Sequence, residues 1–177
     1  MRESLFGSLE SADAIQGARV LDLYAGSGAL GLEALSRGAS SADLVERGRQ
    51  AAGLIRRNAA IVAKAGAPAA RVHEVAVHTY LLRAAGPLDL VFSDPPYDLD
   101  DEAMTADLVA LAPLLSPDAL VVVERARRST PPDFAAAGLE LFREKAYGDT
   151  ALWWAEPATS DEGADVRPQP PTESQSR

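Results

Sequence analysis

The sequence predicts one α/β domain built on a doubly wound, mostly parallel seven-stranded sheet with a C-terminal antiparallel hairpin. Short runs of β-branched residues and leucine alternate with segments of helical periodicity, which is typical of a parallel sheet with helices on both faces. Near the end of the chain this rhythm changes to two strands joined by a tight turn. The 177 residues, 47% of them hydrophobic and 24% charged, have the composition of one globular domain.

Each element has its own signal. The predicted parallel strands are residues 20–24, 42–45, 71–75, 88–93 and 120–124, and the hairpin strands are 139–146 and 150–155. Residues 50–65 are predicted as a helix because their apolar side chains recur on one face, and 29–37 as a second helix that ends before Gly38. An N-terminal helix should bury Leu5, Phe6 and Leu9. Trp153 and Trp154 should lie on opposite faces of the last strand, one in the core and the other against a helix or solvent.

The predicted domain covers residues 1–155, and residues 156–177 are predicted to be a disordered tail. The tail contains four prolines and one large aliphatic residue, too little apolar surface to fold. It also holds five acidic residues and two arginines, so it carries −3 of the formal net charge of −9.

Composition excludes several classes of function. The chain has no cysteine, and the spacing of His73 and His78 is not that of a helical metal pair, so no metal site is expected. No apolar run approaches the roughly 20 residues of a membrane span, and the N-terminus lacks the apolar core of a signal peptide. We therefore expect a cytoplasmic protein and, since nothing demands more, a monomer. Its acidity argues mildly against a nucleic-acid partner.

A glycine motif follows the first strand. Gly26, Gly28 and Gly31 form G-x-G-x-x-G between a strand and a helix, where a ligand can approach the backbone at the positive end of the helix. Glu46, at the end of the second strand, can accept hydrogen bonds from both hydroxyls of a ribose. A cofactor that contains a nucleoside is predicted, but NAD and S-adenosylmethionine both satisfy this pattern.

The segment Asp94, Pro95, Pro96 and Tyr97 follows the fourth strand, at the sheet edge where ligands bind in open α/β folds. An exocyclic amine of a base is a poor nucleophile until acceptors hold its two N–H groups. The Asp94 carboxylate and the Pro95 carbonyl can be those acceptors, and the two prolines stiffen the backbone that carries them. Tyr97 offers a ring on which a flipped base can stack, worth roughly 1–3 kcal/mol. The electrophile would be a sulfonium methyl group.

With these motifs the chain resembles the class I S-adenosylmethionine-dependent methyltransferases, specifically the bacterial RsmD-like group that methylates guanine N2 in small-subunit (16S) ribosomal RNA. The resemblance covers residues 2–155. It is carried by RESLF at 2–6, LDLYAGSGALGLEALSRGA at 21–39, VER at 45–47, Asn58, DPPY at 94–97, VVVE at 121–124 and KAYGDT at 145–150.

The resemblance implies a cofactor site and a substrate. Asp22, Gly26, Ser27 and Gly28 would hold the methionine part of S-adenosylmethionine, Glu46 its ribose, and Arg47 would flank the adenine. Tyr24, Val77 and Asp94 complete the implied cofactor set, and Asp94 to Tyr97 would grip the target base. The partner would be 16S ribosomal RNA within a small-subunit assembly.

Two departures from the family pattern matter. Relatives carry an acid near position 76 for the adenine amine, whereas this chain has Ala76, so backbone groups of 75–77 would take that role. Relatives also begin with a basic arm before the RESLF helix, and this chain starts inside the motif. Phosphate contacts would then rest on Arg125, Arg127 and Arg128, which follow the fifth strand.

Other functions stay open at this point. The same cofactor could serve methylation of an adenine amine in DNA or of a protein glutamine. A dinucleotide-dependent oxidoreductase fits the glycine motif but leaves D-P-P-Y without a role. The chain could also bind the cofactor and be inert on RNA without the basic arm.

Overall fold

The computed structural model describes residues 1–159, which form one seven-stranded sheet flanked by helices. The strands are β1 (Arg19–Leu23), β2 (Ser41–Val45), β3 (Arg71–His73), β4 (Leu88–Ser93), β5 (Leu115–Ala126), β6 (Leu139–Tyr147) and β7 (Thr150–Pro157). Their order is β3-β2-β1-β4-β5-β7-β6. β1 to β5 are parallel, and β7 is antiparallel to both β5 and β6. The predicted fold class is confirmed.

The helices are α1 (Arg2–Ser11), α2 (Ala29–Ser36), α3 (Arg49–Lys64), α4 (Val77–Leu81) and α5 (Asp101–Leu111). Buried side chains of α1, α2 and α3 pack on one side of the sheet, called the α1 face below. Those of α4 and α5 pack on the other side, called the α5 face. Within residues 1–159 no helix has both the length and the apolar character needed to cross a membrane.

The core is divided between these two faces. On the α1 face, Phe6 packs against Phe92 with ring centroids 5.9 Å apart. Trp153 and Trp154 point to opposite faces, as predicted, but both are buried, since helices or loops cover both sides of the sheet there. Neither tryptophan faces solvent.

Three strands, β3, β5 and β7, differ from the sequence prediction by two or more residues at one end or both. β3 ends at His73 rather than at residue 75. β5 begins at Leu115 and passes through Pro117, which lies where the pairing with β4 shifts register between Leu88 and Leu90. A proline has no N–H to donate, so it is tolerated at such an irregularity. β7 continues to Pro157, two residues beyond the predicted boundary, and residues 160–177 of the predicted tail lie outside the described residues.

One carboxylate ties together the amino ends of the central strands. Asp89 Oδ2 accepts hydrogen bonds from the backbone N–H and the Nε of Arg19, at 2.9 and 2.8 Å. Its Oδ1 accepts from Arg19 Nη2 at 3.0 Å and from Ser116 Oγ at 2.9 Å. These contacts link β1, β4 and β5 at the edge opposite the glycine loop. The hydrogen bond from Arg19, with smaller contributions, lowers the pKa of Asp89 to about 2.

The variant Asp89→Asn should lower the free energy of unfolding by about 1–2 kcal/mol at pH 7, because it weakens hydrogen bonds to a charged, partly exposed group. The folded-state pKa lies below the ordinary value, so this stabilisation is present above about pH 4 and is lost as the pH falls towards 2. Urea unfolding at several pH values measures it. Asp118→Asn, an exposed carboxylate at the same end of the sheet, is the control. Equal stability of the two variants at pH 7 would contradict the prediction.

Candidate active site

The loop between β1 and α2 approaches the sheet closely. Gly26 and Gly28 have φ angles of +59° and +79°, in the left-handed region that favours glycine. A Cβ atom at Gly28 would lie 3.0 Å from side-chain atoms of both Leu44 and Ile55. Asn58 of α3 donates a hydrogen bond to the Ser27 carbonyl at 3.1 Å. The glycines thus allow the loop to lie directly over the carboxyl ends of β1 and β2.

Asp22 lies beneath this loop. Its side chain is buried, and its Oδ2 accepts a hydrogen bond from the Gly31 N–H at 2.8 Å. Burial raises the pKa of Asp22 to about 7. The Gly31 N–H opposes this shift, and the charges of Asp94 and Glu46 add to it. Asp22 therefore anchors the start of α2 to β1. Because it does not line the cavity, Asp22 would affect cofactor binding by positioning the glycine loop.

Glu46 follows β2 and faces the same loop. Its Oε2 accepts from the Gly26 N–H and its Oε1 from the Gly48 N–H, each at 3.2 Å. A carboxylate has about four acceptor positions, so two of them remain for a ligand. The side chain is only half-buried. Glu46 is thus oriented by backbone groups while it still opens towards solvent.

A cavity of about 800 Å³ opens at this edge of the sheet, large enough for a nucleoside cofactor. Of the residues predicted for the site, the following line it: Tyr24, Gly26, Glu46, Arg47, Val77, Asp94 and Pro96. Five other predicted residues do not line it: Asp22, Ser27, Gly28, Pro95 and Tyr97. The first three of these belong to the loop and its support, whereas Tyr97 projects outwards with 82% of its surface exposed.

The segment after β4 is held by a buried arginine. Arg125 is 7% exposed and donates from Nη1 to the Pro96 carbonyl at 3.0 Å and from Nη2 to the Leu99 carbonyl at 2.7 Å. The prediction that Arg125 contacts phosphate is therefore wrong, because its guanidinium is used inside the protein. Arg127 and Arg128 are exposed, and their role as phosphate contacts stays a prediction.

Asp94 opens onto the cavity from this rigid segment. Partial withdrawal from water raises the pKa of its carboxyl group, and the charge of Arg125 opposes that shift. Within residues 1–159 the Pro95 carbonyl accepts no hydrogen bond, but Pro95 is buried and does not line the cavity. Of the two acceptors proposed from the sequence, Asp94 opens onto the cavity, and the role of the Pro95 carbonyl stays a prediction.

A polar network on the far wall of the cavity was not predicted. Tyr24 has a φ of +56°, and its hydroxyl donates to Asp107, a buried carboxylate of α5. The other Asp107 oxygen lies 3.1 Å from His78 Nδ1. All three side chains line the cavity beside Ala76. The one sequence signal was an acid at a buried position of an otherwise apolar helix face, between Met104 and Leu108.

Two segments that are distant in the chain contact each other. Ser4 of α1 lies 2.8 Å from the Tyr147 hydroxyl, and Lys145 Nζ donates to Ser4 Oγ at 2.9 Å. These residues belong to the RESLF and KAYGDT segments, on which the sequence resemblance partly rests. Among residues 1–159, no group of three or more potential metal ligands is found.

Comparison with known proteins agrees with this geometry. The model of the family described as "Conserved hypothetical protein 95" matches residues 1–156. The ribosomal RNA small subunit methyltransferase D of Escherichia coli (strain K12) is 38% identical over 151 residues, which are 85% of this chain and 73% of that protein.

Solved structures show the same fold. A conserved hypothetical protein of Streptococcus pyogenes superposes with a TM-score of 0.77 at 34% identity, covering 89% of this chain and 95% of that one. Magnesium protoporphyrin IX methyltransferase of Synechocystis PCC 6803, solved with bound SAM, has a TM-score of 0.71 at 16% identity, covering 89% and 78%. The second likeness concerns the class I methyltransferase fold alone. From the family match and the 38% identical relative, the chain belongs to the RsmD-like family of ribosomal RNA methyltransferases.

Proposed function

We propose that this protein transfers a methyl group from S-adenosylmethionine to the exocyclic N2 amine of a guanine in 16S ribosomal RNA. The observation that carries the proposal is Asp94, which opens onto a nucleoside-sized cavity from a backbone segment that Arg125 holds rigid. Membership of the RsmD-like family supports the choice of substrate.

The cavity suits the cofactor in size and in charge. Its glycine loop is the place for the methionine part, and Glu46 retains acceptor positions for two ribose hydroxyls. Three further carboxyl groups, of Asp22, Asp94 and Glu124, lie along the same edge and complement a cation. When bound, S-adenosylmethionine supplies an electrophilic methyl group on a positively charged sulfur.

The chain's own contribution is positioning. Asp94 and the Pro95 carbonyl would each accept one N–H of the target amine, which favours a pyramidal nitrogen with its lone pair free to react. Methyl transfer to this nitrogen would break the sulfur–methyl bond of the bound cofactor, and Asp94 or water would accept the proton that the nitrogen then loses. Orientation of this kind supplies much of a rate enhancement.

Tyr97 is placed to receive a base from outside. Its ring is 82% exposed directly beyond Asp94, so a base can reach it from solvent. Stacking of a flipped guanine on this ring would orient the amine towards Asp94. The exposed Arg127 and Arg128 at the same end of β5 would contact RNA phosphates.

The proposal extends to the setting of the reaction. A partly assembled small subunit is the proposed substrate, and the enzyme is proposed to act as a cytoplasmic monomer. Incubating the purified protein with labelled cofactor and either free 16S RNA or small-subunit particles tests the substrate. Mass analysis should find N2-methylguanosine at one position, and label in DNA or protein alone would refute the proposal.

Asp94→Ala should reduce methyl transfer to ribosomal RNA at least about 100-fold, because it removes an acceptor that orients the reacting amine. Rates are measured at saturating cofactor, so that any change in cofactor affinity is separated from the chemical step. Asp118→Ala, far from the site, should keep the wild-type rate. Wild-type turnover by Asp94→Ala would exclude the mechanism.

Glu46→Ala should weaken binding of S-adenosylhomocysteine by about tenfold or more, since hydrogen bonds from two ribose hydroxyls to a carboxylate are lost. Titration calorimetry gives the dissociation constant, and circular dichroism checks that the fold is retained. The control Glu140→Ala removes an exposed carboxylate of β6 and should leave affinity unchanged. Unchanged affinity in Glu46→Ala would place the ribose elsewhere.

Arg125→Met should lower kcat by about 10- to 100-fold while cofactor affinity changes less than about threefold, because the catalytic segment loses both hydrogen bonds that hold it. Arg125→Lys should be intermediate, since one ammonium group cannot bridge two carbonyls with the geometry of a guanidinium. Steady-state kinetics and calorimetry separate the two effects, with the exposed Arg83→Met as control. An effect on affinity alone would contradict this role.

A further inference from the structure

A second carboxylate lies level with Asp94 on the neighbouring strand. Ser93 of β4 pairs with Val123 of β5 in parallel register, so the next residues along each strand, Asp94 and Glu124, are side by side. Adjacent strands are about 5 Å apart, which brings such side chains within reach of one small ligand group.

Both carboxyl groups point to the same side of the sheet. Phe92 and Val122, two residues earlier on each strand, are packed in the core of the α1 face. Because side chains alternate along a strand, Glu124 within β5 is directed to that face, and Asp94 is too where the alternation of β4 continues one residue past its end at Ser93. The charge of Asp94 acts on Glu124, which agrees with this placement. Arg125, the next residue, points to the other side, where it holds the segment after β4.

Glu124 is not used by the protein itself. It is half-buried, and within residues 1–159 its carboxylate makes no hydrogen bond and no ion pair. Burial raises the pKa of Glu124 to about 7, with the charge of Asp94 as the second cause. Partial burial of a carboxyl group without a hydrogen-bond partner lowers the stability of the fold. A ligand that donates hydrogen bonds to this group would offset that penalty.

Beyond Glu124, the row of paired residues continues across β7 and β6. Glu124 pairs with Leu152 of β7, and Leu152 with Lys145 of β6. Lys145 is already bound to Ser4 of α1. The row consists of Asp94, Glu124, Leu152 and Lys145. Leu152 is apolar and Lys145 is hydrogen-bonded to Ser4, so beside Asp94 only Glu124 in this row has a polar group free to bind a substrate.

We propose that Glu124 determines the specificity for guanine, by accepting a hydrogen bond from the N1–H of the target base while Asp94 accepts one from its N2 amine. This inference rests on the proposed function and extends it from the reacting amine to the identity of the base.

The chemistry of the two purines explains the selection. Guanine presents two adjacent donors on this edge, the N1–H and the N2 amine. Adenine presents an amine next to an unprotonated N1, which is an acceptor. When Glu124 and Asp94 are both ionised, the two neighbouring carboxylates match two donors, whereas an adenine N1 would face the Glu124 carboxylate with no proton between them. A site built to receive a donor rejects an analogue that lacks it.

The test compares guanine with 2-aminopurine, which keeps the N2 amine but has no hydrogen on N1. Once the methylated guanine has been mapped by mass analysis in 16S RNA treated with the wild-type enzyme, synthetic RNA fragments carry either base at that position. The kcat/KM for each fragment is measured at pH 8.5, where the Glu124 carboxyl group is ionised. Wild-type enzyme, Glu124→Gln, Glu124→Asp and the control Glu140→Gln are compared.

The wild-type preference for guanine over 2-aminopurine should fall at least about tenfold in Glu124→Gln, the size expected for one hydrogen bond to a charged group. Glu124→Asp keeps the charge and should keep most of the preference even if its rate is lower. Glu140→Gln should behave as wild type. Calorimetric binding of S-adenosylhomocysteine shows that each variant is folded, and a merely structural role of Glu124 would lower both rates equally.

Two failures are distinguishable. If the wild-type enzyme methylates the guanine fragment and Glu124→Gln retains the full preference, the role of Glu124 is wrong and the proposed function stands. If the wild-type enzyme transfers no methyl group to any ribosomal RNA guanine, the proposed function fails, and this inference is overturned with it.

Discussion

The parallel register of β2, β1, β4 and β5 is the constraint on which the site depends. Because these strands run in one direction, their carboxyl ends meet at one edge, and residues at or just beyond the end of each strand lie there. Glu46 arrives from β2, Asp94 from β4 and Glu124 from β5. A shift of one residue in any pairing would send these side chains to the opposite face.

This register concentrates negative charge, which the protein manages in three ways. Asp22 is buried against the Gly31 N–H with its pKa raised to about 7, so its charge is partly suppressed at neutral pH. Two backbone N–H groups donate hydrogen bonds to the Glu46 carboxylate, and the positive charge of Arg125 stabilises the ionised form of Asp94. The charge that remains would complement the positive sulfur of S-adenosylmethionine in the proposed reaction. Part of the net charge of −9 therefore lies at the site, which composition alone did not reveal.

Residues near one another in the chain account for what could be predicted. The strand, glycine and helix succession around Gly26 and Gly28 is local, and so is the D-P-P-Y segment after a buried strand. Arg125 was misinterpreted because a charge that follows a strand is usually solvated, whereas here the strand alternation turns it inwards against the Pro96 and Leu99 carbonyls. The contact of Asp107 with Tyr24 joins residues 83 positions apart, and nothing local indicates it.

The sequence by itself determined the doubly wound fold, the position of the glycine loop and the position of the D-P-P-Y segment at the sheet edge, because hydrophobic periodicity and turn residues can be recognised within short stretches of chain. Only the tertiary structure decided which of these residues line the cavity, that Arg125 holds the catalytic segment and that Glu124 stands beside Asp94. Those relations arise from pairing between strands that are far apart in the chain. Strand order and register are settled by the packing of both faces at once, and no short stretch of residues contains that information.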